Sequence, residues 1–146
     1  MPANQDHALD VIAIGRSSVD LYGQQIGSRL EDIATFSKSV GGCPANIAVG
    51  TARLGLKSGL ITGVGAEQMG RFIIEQCARE GVATQGIKID KERLTALVLL
   101  AVEDEGVSPM IFYRPDCADM AITEDDVDEA FVRSSKSVLV SGTHFS

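Results

Sequence analysis

A single α/β domain built on a parallel sheet is predicted by three observations. Between residues 8 and 81, short apolar runs alternate with helix-length segments, in the order strand, helix, strand, helix. Glycines stand where each of the two helices should stop, at Gly55 and Gly81. After residue 90 the rhythm breaks into two consecutive apolar runs, the mark of a separate β element added to the alternation.

The elements follow in order. Residues 1–8 read as a loose leader. Ala8 to Ile14 (ALDVIAI) is apolar with β-branched residues and stops at Gly15, as a buried strand does. Segments 19–26 and 33–40 are mixed and fit short strands or loops. Pro44 opens a helix over about 44–54, because the first helical turn does not need the N–H that proline lacks. Ala45, Ala48, Gly50 and Ala52 make it a small-residue helix suited to close packing on a sheet. Lys57 to Val64 is the next strand. A second helix over about 67–80 carries Met69, Phe72, Ile73 and Cys77 on one face. Residues 94–102 and 109–114 read as a hairpin around the acidic turn Glu103-Asp104-Glu105-Gly106. Thr123 followed by Glu124, Asp125 and Asp126 predicts a helix over about 123–135, since acids suit a helix N-terminus. Ser137 to Val140 is a last buried strand, running into Gly142-Thr143-His144-Phe145-Ser146.

Bulk properties narrow the function. A chain of 146 residues, 45% apolar and 23% charged, can bury one core. A net charge of −7 argues against nucleic acid or an acidic membrane as partner. A small anionic substrate stays possible, because a few local arginines override the global sign. The polar start MPANQDHALD is not a signal peptide, and no apolar run reaches the roughly 20 residues of a membrane helix. Cys43, Cys77 and Cys117 are odd in number and widely spaced, so free thiols in a reducing cytoplasm are expected. His7 and His144 are too few and too far apart to form a metal site.

The segment Gly41-Gly42-Cys43-Pro44-Ala45-Asn46-Ile47-Ala48 carries the strongest local signal. Two glycines before a helix let backbone N–H groups approach a ligand, and Asn46 offers an amide on the first turn. The same residues also fit a tight strand-to-helix turn in which Asn46 satisfies local backbone. A Rossmann dinucleotide fingerprint is not met, because Gly15-Arg16-Ser17 after the first strand does not follow Gly-x-Gly-x-x-Gly.

Taken together, Gly15 to Asp20 after the first strand, the Gly-Gly-x-x-x-Asn-x-Ala segment, Gly55 and Val64-Gly65 resemble the N-terminal pattern of the PfkB/ribokinase carbohydrate kinases. The stretches RSSVDLYGQQIG, VGGCPANIAVGTARLGLKS, ERLTALVLL, IFYR with CADMA, and GTHFS narrow the resemblance to members acting on sugar acids, a dehydro- or keto-deoxygluconate. It covers essentially the whole chain. It implies the N-terminal half of a ribokinase-like doubly wound sheet with a small β lid, whose strands fall within 17–40 and 94–114. Asp20 would accept hydrogen bonds from sugar hydroxyls. Gly41, Gly42 and Asn46 would line the sugar pocket. Arg114 matches the arginine used near the substrate carboxylate, with Arg16 as a second candidate, and a guanidinium fork suits a planar carboxylate. Phe112 would share a strand face with Arg114 and pack on the sugar.

The resemblance also implies ATP and Mg2+ as cofactors, a cytoplasmic setting and a homodimer formed through the lid. Many members have an aspartate after Val-Gly, where this chain has Ala66 and then Glu67, which leaves the cap at that helix open. Gly63 adds another small residue, so a loose loop is expected there. The family's Gly-x-Gly-Asp, which holds the phosphates and supplies the base, does not occur in the 146 residues. The expectation is therefore a substrate-binding half that lacks the catalytic half.

Overall fold

The computed structural model describes residues 7–102 and 109–142. β1 (Leu9–Ile14) leads to β2 (Ser18–Gly23) and β3 (Phe36–Gly41), followed by α1 (Cys43–Arg53), β4 (Ser58–Gly65) and α2 (Gln68–Arg79). Then come β5 (Ile87–Asp90), β6 (Leu97–Leu100), β7 (Met110–Tyr113), the short α3 (Glu129–Arg133) and β8 (Ser135–Val140). They form two four-stranded sheets, of order β5-β4-β1-β8 and β3-β2-β6-β7.

Every neighbouring pair in the first sheet is parallel. Helices cover both faces because β1 and β4 are apolar at successive positions and strand side chains alternate in direction. Ala13, Leu60 and Val64 face α1 and α2, packing with Ala45, Ala48, Ile73 and Cys77. Ile12 and Ile61 face the other way, under Phe131 of α3. All eight residues of β4 are buried. α1 buries Pro44, Ala45 and Ala48 and packs Ile47, Val49 and Ala52 against the core, whereas a side chain at Gly50 would meet nothing within 4 Å. Gly55 and Gly81 end their helices with φ of 91° and 81°, as their positions predict. The three cysteines are free thiols, and burial pushes that of Cys77 up to about 11.

The second sheet is mixed. β2 pairs antiparallel with β3 and parallel with β6, and β6 pairs antiparallel with β7. The hairpin expected from the sequence is formed, shorter than its apolar runs, with Leu97 opposite Tyr113 and Leu100 opposite Met110. The acidic turn lies outside the described residues, as do residues 1–6 and the terminal Thr143 to Ser146.

Two expectations about elements are corrected, and one about burial: β8, expected to be buried, is mostly exposed at the sheet edge. The helix read over 123–135 is broken. Glu124–Asp126 is a single 3-10 turn in which the Asp126 carboxylate accepts from the Thr123 N–H at 2.9 Å and hydroxyl at 3.0 Å. The same carboxylate pairs with Lys88 of β5 at 2.8 Å. The chain then extends through Val127 and Asp128, and the Asp128 carboxylate starts α3 afresh by accepting from the Ala130 N–H at 2.9 Å. Two caps in series made two short turns. The second correction is β5, which the sequence reading passed over. Four residues, half of them charged, pair with β4 on one side only at the sheet edge.

Candidate functional site

The carboxyl ends of the parallel strands, where open α/β sheets hold ligands, meet the second sheet. Gly15 closes β1 with its N–H on the Ile61 carbonyl at 3.1 Å. Ser17 is buried beside it, accepting from the Thr62 hydroxyl at 2.9 Å. This fixes the backbone on both sides of Arg16 and directs the arginine side chain to the sheet edge.

Asp20, Gly41, Gly42 and Arg16 form one corner. The Ser18 hydroxyl donates to Asp20 Oδ1 at 2.8 Å. A Cβ on Gly41 would fall on the Asp20 carboxylate. A Cβ on Gly42 would overlap the Arg16 carbonyl and lie 2.8 Å from the Ser17 Cα, and Gly42 also has φ of 93°. Gly42 is therefore required by backbone contact and by its own conformation, whereas a side chain at Gly41 would displace the Asp20 carboxylate. No side chain caps α1 after Gly42. Asn46 is exposed and lines a separate groove of about 330 Å³ with Lys38, Val49 and Arg53. Its backbone N–H donates to the Gly42 carbonyl at 3.0 Å, and among the described residues no side-chain hydrogen bond joins its amide to the Asp20 corner.

Arg16 and Arg114 converge on Asp119, which the sequence reading did not single out. Arg114 Nη2 donates to Asp119 Oδ2 at 2.8 Å, and Arg16 Nε reaches the same oxygen at 3.4 Å. Asp119 is fully buried, and both arginine side chains are mostly buried. A tight turn after β7 aims Arg114. Asp116 takes a left-handed φ of 53° and is held by Arg93 Nε at 2.9 Å. The Ala118 N–H donates to the Leu94 carbonyl at 2.9 Å. Gly63 is not a loose point, as expected, but a contact: the Ala118 carbonyl fills the space a Cβ would need. The available signal for Asp119 was a lone acid between Cys117-Ala118 and Met120-Ala121.

Phe112 stands half-exposed on β7. Asp20 pairs with Val98 and Val98 with Phe112, so Asp20 and Phe112 lie on one face of the second sheet, two strands apart. Arg114 lies past the end of β7 and turns to Asp119. The opposite face of that sheet, with Leu21, Leu97 and Tyr113, lines a groove of about 750 Å³ together with Met69, Arg93 and Leu94.

The open question of a cap after Val64-Gly65 is answered by Glu67. Its Oε2 accepts from the N–H groups of Met69 at 2.5 Å and Gly70 at 3.3 Å, and its Oε1 from that of Thr95 at 2.9 Å. Burial pushes the Glu67 carboxyl up, but the hydrogen bonds from Thr95, Met69 and Gly70 together outweigh it and hold the group below its ordinary value. The N–H groups that a phosphate would seek at this helix start are thus taken. Among the described residues no cluster of three or more His, Cys, Asp or Glu could hold a metal ion. At this helix start the described residues do not fit a nucleotide phosphate or its Mg2+.

Residues 8–146 match the pfkB family carbohydrate kinase model. A 5-dehydro-2-deoxygluconokinase of Geobacillus kaustophilus is 40% identical over 144 residues, which is 98% of this chain and 43% of that protein. An uncharacterized sugar kinase from Pyrococcus horikoshii, solved in complex with ATP, is 34% identical with a TM-score of 0.83, covering 89% of this chain and 42% of that one. A PfkB protein from Polaromonas sp. JS666 is 30% identical with a TM-score of 0.85, covering 90% and 44%. The chain spans about 43% of the length of the curated relatives it matches.

Proposed function

Since the chain belongs to the pfkB family of carbohydrate kinases, with a ribokinase-like doubly wound fold, we propose that it is the substrate-binding part of an ATP-dependent kinase that phosphorylates 5-dehydro-2-deoxy-D-gluconate. The observation that carries this reading is the junction of the Asp20–Gly41 corner with the paired guanidiniums of Arg16 and Arg114. A carboxylate beside bare glycine backbone suits hydroxyls, and clustered guanidiniums suit a carboxylate. A sugar acid has both. In this reading the second sheet is a lid over the sugar that keeps water out, and Asn46 and Phe112 complete the pocket when it closes. The exposed strand β7 supports pairing of two lids in a homodimer.

ATP and Mg2+ are assigned to sequence corresponding to the part of the relatives that this chain does not span. 2-Keto-3-deoxygluconate is the second substrate, since it offers the same carboxylate and a similar hydroxyl run. A non-catalytic sugar-binding or dimerising role is the alternative reading.

Titration calorimetry with each sugar acid and with a neutral hexose tests the reading. The sugar acids are expected to bind and the neutral hexose to bind poorly. Arg114→Ala is expected to weaken the acids by about 10- to 100-fold, the worth of a charge-assisted hydrogen bond or two. Equal loss for acid and neutral sugar would remove the carboxylate from this site. Phosphoryl transfer from ATP by the protein of the complete reading frame separates the kinase from the non-catalytic reading.

A further inference from the structure

We infer that Asp119 is a positioning residue that sets the preference for an acid over a neutral sugar, by holding the Arg16 and Arg114 guanidiniums in one recognition geometry. The inference rests on the reading that this pair receives the substrate carboxylate.

The argument begins with the cost of the arrangement. A fully buried carboxylate loses its hydration, and in a structural role it is expected to recover that loss with all its lone pairs engaged. Asp119 does not do so. Both contacts fall on Oδ2, one at 2.8 Å and one at 3.4 Å, and the second is long for a charge-assisted bond. Asp119 Oδ1 and Arg114 Nε are buried with no hydrogen-bond partner among the described residues. The carboxylate binds two guanidiniums through one oxygen and leaves the Arg114 fork incompletely used.

Charge completes the argument. Two guanidiniums brought together repel, and the Asp119 carboxylate between them offsets that repulsion and keeps the pair close enough for one substrate carboxylate to meet both. Asp119 also spans two elements. Arg16 follows β1 of the parallel sheet, Arg114 follows β7 of the second sheet, and the turn bearing Asp119 rests on Gly63 of β4. It contacts both arginines, and so sets the distance between them.

The test is the kinetics of Asp119→Asn in the protein of the complete reading frame, with 5-dehydro-2-deoxygluconate and 2-deoxyglucose as paired substrates and Arg114→Ala in parallel. The expected result is a KM for the acid raised at least tenfold, a kcat within twofold of the parent, and an unchanged KM for the neutral sugar. An unchanged or lowered KM for the acid, or equal changes for both sugars, overturns the inference. If Arg114→Ala itself keeps the acid preference, the carboxylate reading of the site fails. If Arg114→Ala loses the preference and Asp119→Asn keeps it, only the role of Asp119 falls. Should Asp119→Asn not fold, the ratio is read on Asp119→Glu, which keeps the charge and displaces it by one methylene. A lowered acid preference there supports the inference and an unchanged one overturns it.

Discussion

The two sheets are held together by different physics. In the parallel sheet, β4 is buried along its whole length, and Ile12, Ala13, Leu60 and Val64 are almost or wholly without solvent contact. In the second sheet, every residue of β7 is exposed, and Met110, Ile111, Phe112 and Tyr113 are each about half in solvent. The first is stabilised by apolar area removed from water. The second joins the same core through β2, β3 and β6, at Val19, Leu21, Val40 and Leu97, and is further tied at its base by polar contacts: Glu67 and Gly65 to Thr95, Arg93 to Asp90 and Asp116, and Arg16 and Arg114 to Asp119. The candidate site falls on that boundary. A fully buried strand on one side and an exposed outer strand on the other is the division the proposed lid would need.

The largest expected effect would come from breaking the packed half. Leu60→Ala removes a fully buried side chain between β4 and the helices. It is expected to cost about 2–5 kcal/mol. Phe112→Ala removes a larger side chain from the second sheet and is expected to change stability by no more than about 0.5 kcal/mol. Urea unfolding followed by far-UV circular dichroism measures both. Similar losses for the two would show that the second sheet is as tightly packed as the first.

Two glycines sharpen the comparison at smaller scale. Gly63 is where the turn carrying Asp119 touches β4, and a methyl group there would collide with the Ala118 carbonyl, a backbone atom with little freedom to yield. Gly63→Ala is expected to cost about 1–3 kcal/mol and to weaken sugar-acid binding, because it displaces the turn that bears Asp119. Gly50 in α1 faces open space. Gly50→Ala is expected to stabilise the protein by about 0.5–1 kcal/mol, since alanine loses less backbone entropy in a helix. Thermal melts of the two variants should move in opposite directions.

The same division decided what could be read from the sequence. β1, α1, β4 and α2 were legible because a buried element must be apolar at the right period, and Gly55 and Gly81 marked its ends. β5 was not, since an edge strand of four residues needs little apolar surface. The segment 123–135 misled because Thr123 and Asp128 are both good caps, and sequence alone does not say which one governs. At the site, Asp20, Gly41 and Gly42 were named together from the resemblance, and what brings them into contact is the antiparallel pairing of β2 with β3, Ser18 opposite Gly41. Arg16 and Arg114 are 98 positions apart in the sequence, and what joins them is Asp119. Its role depends on a tertiary approach that no periodicity encodes.

The smallest expected effect concerns the tie between the halves. Glu67 binds the first turn of α2 with one oxygen and the Thr95 N–H with the other, so it caps the packed half and anchors the chain entering β6. Glu67→Gln keeps the shape and loses the charge, and is expected to cost about 0.5–2 kcal/mol at neutral pH, the usual worth of a helix cap. Its hydrogen bonds hold the folded carboxyl below its ordinary value of 4.5. The folded state therefore favours the ionised form, and the contribution is complete above that value and fades as pH falls through the lower, folded one. Asp90 and Asp126 are held low as well, by backbone N–H groups and by Lys88 respectively, so the parent protein as a whole loses stability in acid. The gap between parent and Glu67→Gln isolates the one group. Urea midpoints of the two are expected to differ at pH 7 and to converge below pH 4.5. A gap of constant size down to pH 3 would mean that the carboxylate charge contributes nothing to the tie and that shape alone joins the two halves.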